Sequence, residues 1–149
     1  MKVCVLCGAS KLPKTELEKY LYQWGIEHVI SQNETNNGNH ILNGVLNDFN
    51  KCNYSIALLA NDDFITINNI GEESIAEKRA RQNVILEIGM WIAKKGIDRL
   101  FLIKQKGTVI PSDLHGILYK EFSESIDEIE KDIFKQLKEA GFEIENNRG

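Results

Sequence analysis

Tyr54-Ser55-Ile56-Ala57-Leu58-Leu59-Ala60 runs without a charged side chain and stops at Asn61-Asp62-Asp63. A short apolar run closed by turn formers reads as a strand buried on both faces, of the kind found at the centre of a parallel sheet. Lys2 to Cys7 (KVCVLC) is a second such run, ending at Gly8-Ala9-Ser10, and Ile26 to Ile30 and Arg99 to Ile103 are two more. Ile117 to Phe122 supplies an edge strand. Between these runs the apolar residues recur at helical spacing. Leu17, Tyr20, Leu21 and Trp24 share a face behind a Thr15/Glu18 capping box and stop at Gly25, and Ile41, Leu42, Val45, Leu46 and Phe49 form the next stripe. Val84, Ile88, Trp91 and Ile92 line a helix from about Asn83 to Lys95 that ends at Gly96. Ile126, Ile129, Ile133 and Leu137 follow a Ser125/Glu128 capping box and end at Gly141. Residues 31–39 read as an Asn-rich loop and Asn61 to Lys78 as a long connection, of a length that is often functional. Strands alternating with helices predict an α/β fold, a central parallel sheet of about five strands with helices on both faces.

The chain of 149 residues suits one domain, with a core over about 2–122 and a C-terminal helix over about 124–140. A net charge of −4, with no basic stripe threaded by aromatics, argues against broad contact with nucleic acid or an anionic membrane. No apolar run approaches the ~20 residues needed to span a bilayer, and the first residues lack a signal-peptide pattern, so the cytoplasm is the expected compartment. Cys4, Cys7 and Cys52 read as free thiols: in a strand Cys4 and Cys7 point to opposite faces, and Cys52 stands alone. His28, His40 and His115 show no ligand spacing, so no metal is expected. The tail from Glu145 to Gly149 reads as a frayed end, or as the junction with a longer parent protein.

In an open parallel sheet, ligands bind beyond the carboxyl ends of the strands. Gly8-Ala9-Ser10, Asn61-Asp62-Asp63 and the loop from Lys104 to Gly116 meet at that edge, as does the start of the helix in Arg79-Ala80-Arg81-Gln82-Asn83-Val84-Ile85-Leu86-Glu87-Ile88-Gly89. Glu87 is spaced three from Val84 and four from Trp91, so it flanks the apolar stripe, and the helix macrodipole favours its negative charge. A carboxylate in a half-dry cleft suits cleavage of the bond between nicotinamide and ribose. Positive charge develops on the sugar and is stabilised by the anion, while nicotinamide leaves neutral and needs no general acid. On spacing alone, Glu87 serves equally well as a capping or salt-bridge residue for Arg79, Arg81 or Lys94. Asp62-Asp63 caps a turn or belongs to the site, and Arg79 and Arg81 are either solvated charges or a fork for a diphosphate.

Three blocks, Tyr54 to Asp63, Arg79 to Gly89, and Pro111-Ser112-Asp113-Leu114 with Gly116-Ile117, resemble the bacterial TIR-like family. Its members act as effectors in antiphage systems of the CBASS and Pycsar type and include TIR domains fused to bacterial STING. The resemblance implies a flavodoxin-like TIR fold and cleavage of NAD+ to nicotinamide and an ADP-ribose product, with Glu87 as the catalytic carboxylate. It implies substrate contacts from Gly8, Ala9 and Ser10 after the first strand and from Asp113. Asp63, Arg79 and Arg81 are assigned either to the ligand or to ordering the loop and a contact between subunits. It also implies activation by self-association into a homo-oligomer or filament, and a cyclic-nucleotide sensor domain in a longer parent. The first strand departs from the family's Phe-Ile-Gly or Val-His-Gly wording, and Asn83 stands where some TIR NADases carry Trp. With no Gly-x-Gly-x-x-Gly loop, NAD+ is expected as substrate and not as a bound hydride carrier, and no cofactor is expected. Two other functions fit the same pattern: a non-enzymatic TIR adaptor, and an enzyme like the nucleoside deoxyribosyltransferases, which also set a glutamate against an N-glycosidic bond.

Overall fold

The computed structural model describes residues 1–31, 41–67 and 75–145. In chain order the elements are β1 (Lys2–Leu6), α1 (Lys11–Gln23), β2 (Glu27–Ser31), α2 (Ile41–Lys51), β3 (Tyr54–Leu59), β4 (Asp63–Ile67), β5 (Ile75–Arg79), α3 (Gln82–Lys95), β6 (Leu100–Gln105), β7 (Tyr119–Phe122) and α4 (Glu130–Glu139). Five of the strands form one parallel sheet in the order β2-β1-β3-β6-β7. Strand β3 lies at its centre with all its residues buried. The polar member of that strand, Ser55, donates its hydroxyl to the Cys4 carbonyl at 3.0 Å, which satisfies it inside the core.

Strand alternation divides the core into two halves. Val3, Val5, Ile56, Leu58, Phe101 and Ile103 face Leu17 and Leu21 of α1 and Ile133 and Leu137 of α4. Cys4, Leu6, Ala57, Leu59 and Leu102 point the other way, against Val45 and Phe49 of α2 and Val84, Ile88 and Trp91 of α3. The expected α/β sandwich is therefore what the chain adopts, a flavodoxin-like arrangement consistent with a TIR fold. From β1 the chain steps outward to β2 and then returns to β3 on the other side of β1, so the connections diverge between β1 and β3. That is where open parallel sheets form their binding crevice.

Two local expectations are corrected. Helix α1 begins at Lys11, four residues before the expected Thr15, so Thr15 and Glu18 lie inside it and do not cap it. Pro13 is tolerated because it falls in the first turn, where backbone N–H groups lack helical partners. The connection after β3 is no plain loop: Asp63–Ile67 and Ile75–Arg79 pair as an antiparallel ribbon with Asp63 opposite Arg79. The ribbon is tied to the loop after β6, where the Val109 N–H donates to the Lys78 carbonyl at 2.8 Å. Cys52 is a buried free thiol, and its interaction with the Cys4 thiol, followed by burial, pushes the Cys4 thiol far up. All three cysteines are free, and Cys4 and Cys7 do point to opposite halves of the core. The Asn-rich stretch 32–39, His40 and the tail 146–149 lie outside the described residues. Among the described residues no helix is long and apolar enough to cross a membrane.

The expected Ser125/Glu128 capping box is present, at the head of a 3₁₀ turn (Ile126–Ile129) that leads into α4. The Glu128 carboxylate accepts backbone N–H bonds from Ser123, Ser125 and Glu124 at 2.8–2.9 Å, which hold its pKa down at about 2. A carboxylate whose folded value is depressed stabilises the fold above its unfolded value of about 4.5 and loses that contribution as pH falls towards about 2. Chemical denaturation across this window should therefore show a steeper acid loss for the wild type than for Glu128→Gln. Parallel acid limbs would show that these bonds contribute nothing.

Candidate functional site

The ends of β1 and β3 lie side by side, since Leu6 pairs with Ala57. The residues just beyond them are joined by one side chain. The Asp62 Oδ1 accepts the Ser10 N–H at 2.9 Å and its Oδ2 accepts the Arg81 N–H at 3.2 Å. Ser10 is the N-cap of α1 and Arg81 the N-cap of α3, and neither makes a side-chain capping bond. Asp62 thus ties the starts of two helices on opposite faces of the sheet to the end of its central strand. It does so by lying across Gly8, where a Cβ would come within 2.3 Å of Oδ2. Gly8 is required here for that close approach. Asn61, next along, donates its N–H to Gln105 at 3.1 Å and accepts the hydroxyl of the buried Thr108, fastening the same edge to the loop after β6.

Glu87 lies on the core side of α3 with Val84, Ile88 and Trp91, and it is only 1% exposed. Sequence spacing places it beside the stripe in a half-dry cleft. The structure buries it fully, because a residue three after Val84 and four before Trp91 falls within the helix's inward arc. Its helix packs beneath β1, with Val84 and Ile88 in the same half of the core as Cys4 and Leu6. Each of the two arginines has a carboxylate partner on or at the base of the β4–β5 ribbon. Arg79 takes Glu77 at 2.8 Å and Arg81 takes Asp63 at 3.0 Å.

Those arginines belong to a second feature. A hollow of about 680 Å³ opens between the β4–β5 ribbon, the start of α3 and the loop after β6, with Asp63, Arg79, Arg81, Asn83 and Pro111 in its wall beside Ile65, Ile85 and Val109. The hydrogen bond to Asp63 raises the Arg81 pKa, and that to Glu77 raises the pKa of Arg79. The predicted residues therefore fall into two adjoining groups with Asp62 between them. Gly8, Ala9 and Ser10 follow β1 and meet Asp62, while Asp63, Arg79 and Arg81 line the hollow. Asp113 belongs to neither wall: it is exposed on a 3₁₀ turn (Ser112–Leu114) directly after Pro111. Sequence named Asp62 only together with Asp63, as a turn cap or a site residue, and did not name Thr108. The available signal for Asp62 was a glycine and an acid placed just after two adjacent strands.

Cys7 reports on this arrangement. Burial first, then the charges of Glu87 and Asp62, against the opposing pull of Lys14, push its thiol up to about 11. Only the thiolate reacts with disulfide reagents, so at pH 8 Cys7 should label roughly 100-fold more slowly than a thiol at its ordinary value. Removing a nearby negative charge lowers a thiol pKa. Glu87→Gln should therefore speed Cys7 labelling, as followed by mass spectrometry, and an unchanged rate would show that the carboxylate does not face the end of β1.

The sequence model of the CAP12/Pycsar effector protein TIR domain matches residues 2–124. The chain is 24% identical over 140 residues to Protein tirC of Dictyostelium discoideum, covering 89% of this chain and 70% of that protein. It is 26% identical over 136 residues to CD-NTase-associated protein 12 of Flavobacterium daejeonense, covering 85% of this chain and 40% of the relative. Against Pycsar effector protein PaPycTIR of Pseudomonas aeruginosa the identity is 26% over 124 residues, covering 77% and 37%. The chain thus spans about two fifths of the length of these two bacterial relatives.

Proposed function

The chain belongs to the TIR-domain family of CAP12/Pycsar effectors, and from that premise we propose that it is a cytoplasmic antiphage effector that hydrolyses NAD+ when it self-associates. The observation that carries the reading is the position of Glu87, an acid kept on the core side of α3, the helix whose start Asp62 ties to the loop after β1 where the sheet's connections diverge. The bond between C1′ of ribose and the nicotinamide ring nitrogen breaks, and its electron pair leaves with neutral nicotinamide. The Glu87 carboxylate stabilises the positive charge left on the sugar. Water adds its oxygen at C1′ and releases one proton, giving ADP-ribose.

Gly8, Ala9 and Ser10 frame the nicotinamide ribose. The hollow beyond Asp62 offers Arg79 and Arg81 to the diphosphate, with Asp63 setting the geometry of Arg81, and Asp113 contacts the substrate from the exposed turn after Pro111. NAD+ is the substrate, and no cofactor or metal takes part. Because the chain spans only part of its bacterial relatives, a cyclic-nucleotide sensor elsewhere in a longer parent would supply the signal that clusters it.

The burial of Glu87 is the observation that favours the non-enzymatic adaptor instead. One experiment separates the two readings: chromatography of products after mixing NAD+ with the protein, dilute and then clustered on a scaffold. Nicotinamide release that rises more steeply than protein concentration supports the hydrolase. A clustered protein that neither binds nor turns over NAD+ is an adaptor.

A further inference from the structure

We propose that Asp62 is a positioning residue for the NAD+ reaction, holding the Gly8–Ser10 loop in fixed register over the helix that carries Glu87. The proposal rests on the hydrolase reading above and adds a residue to it. The loop and the helix start come from opposite faces of the sheet, and the 52 residues separating Ser10 from Asp62 provide no local reason for their contact. What joins them is one carboxylate with an oxygen for each N-cap amide, at 2.9 and 3.2 Å. Both amides belong to helix starts, where N–H groups lack helical acceptors and a nearby negative charge is favoured. Neither helix uses its own N-cap side chain for that purpose, so Asp62 caps both.

The neighbouring residues fit this role and no looser one. Asp62 is anchored through its own N–H, which donates to the Ala60 carbonyl at 2.8 Å at the end of the central strand. Gly8 leaves it the room that a Cβ would take. Through the Ser10 and Arg81 amides, Asp62 links the end of β1 to the start of α3, the helix that carries Glu87. Asp62 has both of its oxygens engaged by backbone, which fixes its position. A substrate sugar seated on Gly8–Ser10 would then meet Glu87 at a distance set by the length of the Asp62 bridge.

The test combines a readout that needs no activity with one that does, in the clustered full chain. Asp62→Ala should speed hydrogen exchange at the Ser10 and Arg81 amides by at least about tenfold while the β3 amides keep their protection. In the same variant kcat for nicotinamide release should fall roughly 100-fold, with KM moving less than about threefold. Asp62→Asn keeps the volume and one acceptor oxygen, so it should free one of the two amides and lose about tenfold in kcat. Gly8→Ala should reproduce Asp62→Ala by displacing the carboxylate, and the double variant should be no worse than either single one. Unchanged protection at both amides in Asp62→Ala, or a wild-type kcat in that variant beside an inactive Glu87→Ala, overturns the positioning role and leaves the hydrolase reading intact. A wild type that releases no nicotinamide when clustered, yet whose Ser10 and Arg81 amides depend on Asp62, removes the hydrolase reading and leaves Asp62 a structural clasp.

Discussion

Glu87→Ala and Glu87→Gln should each cut nicotinamide release from the clustered protein by about 1,000-fold. The size follows from electrostatics. A full charge about 4 Å from a developing positive charge, at an effective dielectric constant of about 20, is worth about 4 kcal/mol. That converts to roughly three powers of ten in rate. Glutamine matches glutamate in volume, so it separates loss of charge from loss of packing at a position that is 1% exposed. If charge is what matters, the two variants should be equally slow, and KM should change little, because the interaction is realised in the transition state. The control is thermal melting of the Gln variant, which should retain a cooperative transition. A Gln variant that keeps its fold and a tenth or more of the parent rate would remove Glu87 from the chemistry. Incubating the parent with a deoxynucleoside and a free base tests the transferase alternative in the same assay.

What sequence revealed here was what short-range pattern determines. The uncharged run Tyr54–Ala60 sits at the centre of the sheet, and the stripe of Val84, Ile88 and Trp91 faces the core, because period and composition alone fix which side of an element is buried. Expectation failed where a distant partner decides the outcome. Ser10 was missed as a helix start because its own hydroxyl makes no cap and its N–H is satisfied by Asp62, far along the chain. The ribbon after β3 was read as a loop because its strands are short and lie outside the main sheet, its base held by the Asp63–Arg81 pair and a single bridge at Val109. Asp62 and Asp63 are neighbours of one chemical type with opposite tasks. The first turns back over Gly8, while the second opens strand β4 and pairs with Arg81 at 3.0 Å in the wall of the hollow. A list of residue types carries no such distinction; the direction of the chain at the end of β3 does. The depth of Glu87 escaped for a related reason: spacing gives the angle of a side chain around its helix but not how closely the helix packs on the sheet.

That packing rests largely on Trp91, one turn beyond Glu87. Its side chain is fully buried, meets the Phe49 ring edge-on at 5.1 Å between centroids, and donates its indole N–H to the Arg99 carbonyl at 3.0 Å. Trp91 therefore joins α3 to α2 through the ring and to the entry of β6 through the hydrogen bond. Trp91→Ala should cost about 4 kcal/mol, the middle of the range for emptying a large aromatic site. Against a total stability of about 5–15 kcal/mol this is a large fraction, and it should lower the melting temperature by about 10 °C. Trp91→Phe retains a ring but leaves the Arg99 carbonyl without its donor, so it should cost about 2 kcal/mol, close to the price of one unmet buried acceptor plus a partly filled site. Urea titrations should give these losses as shifts in midpoint with an unchanged slope. Since the same anchor sets how far α3 stands from the sheet, turnover measured well below the melting transition should fall with Trp91→Ala and hold near the parent value with Trp91→Phe. A Trp91→Ala variant losing less than about 1 kcal/mol would mean that α3 is held elsewhere along its length. The closeness of Glu87 to the end of β1 would then need another cause.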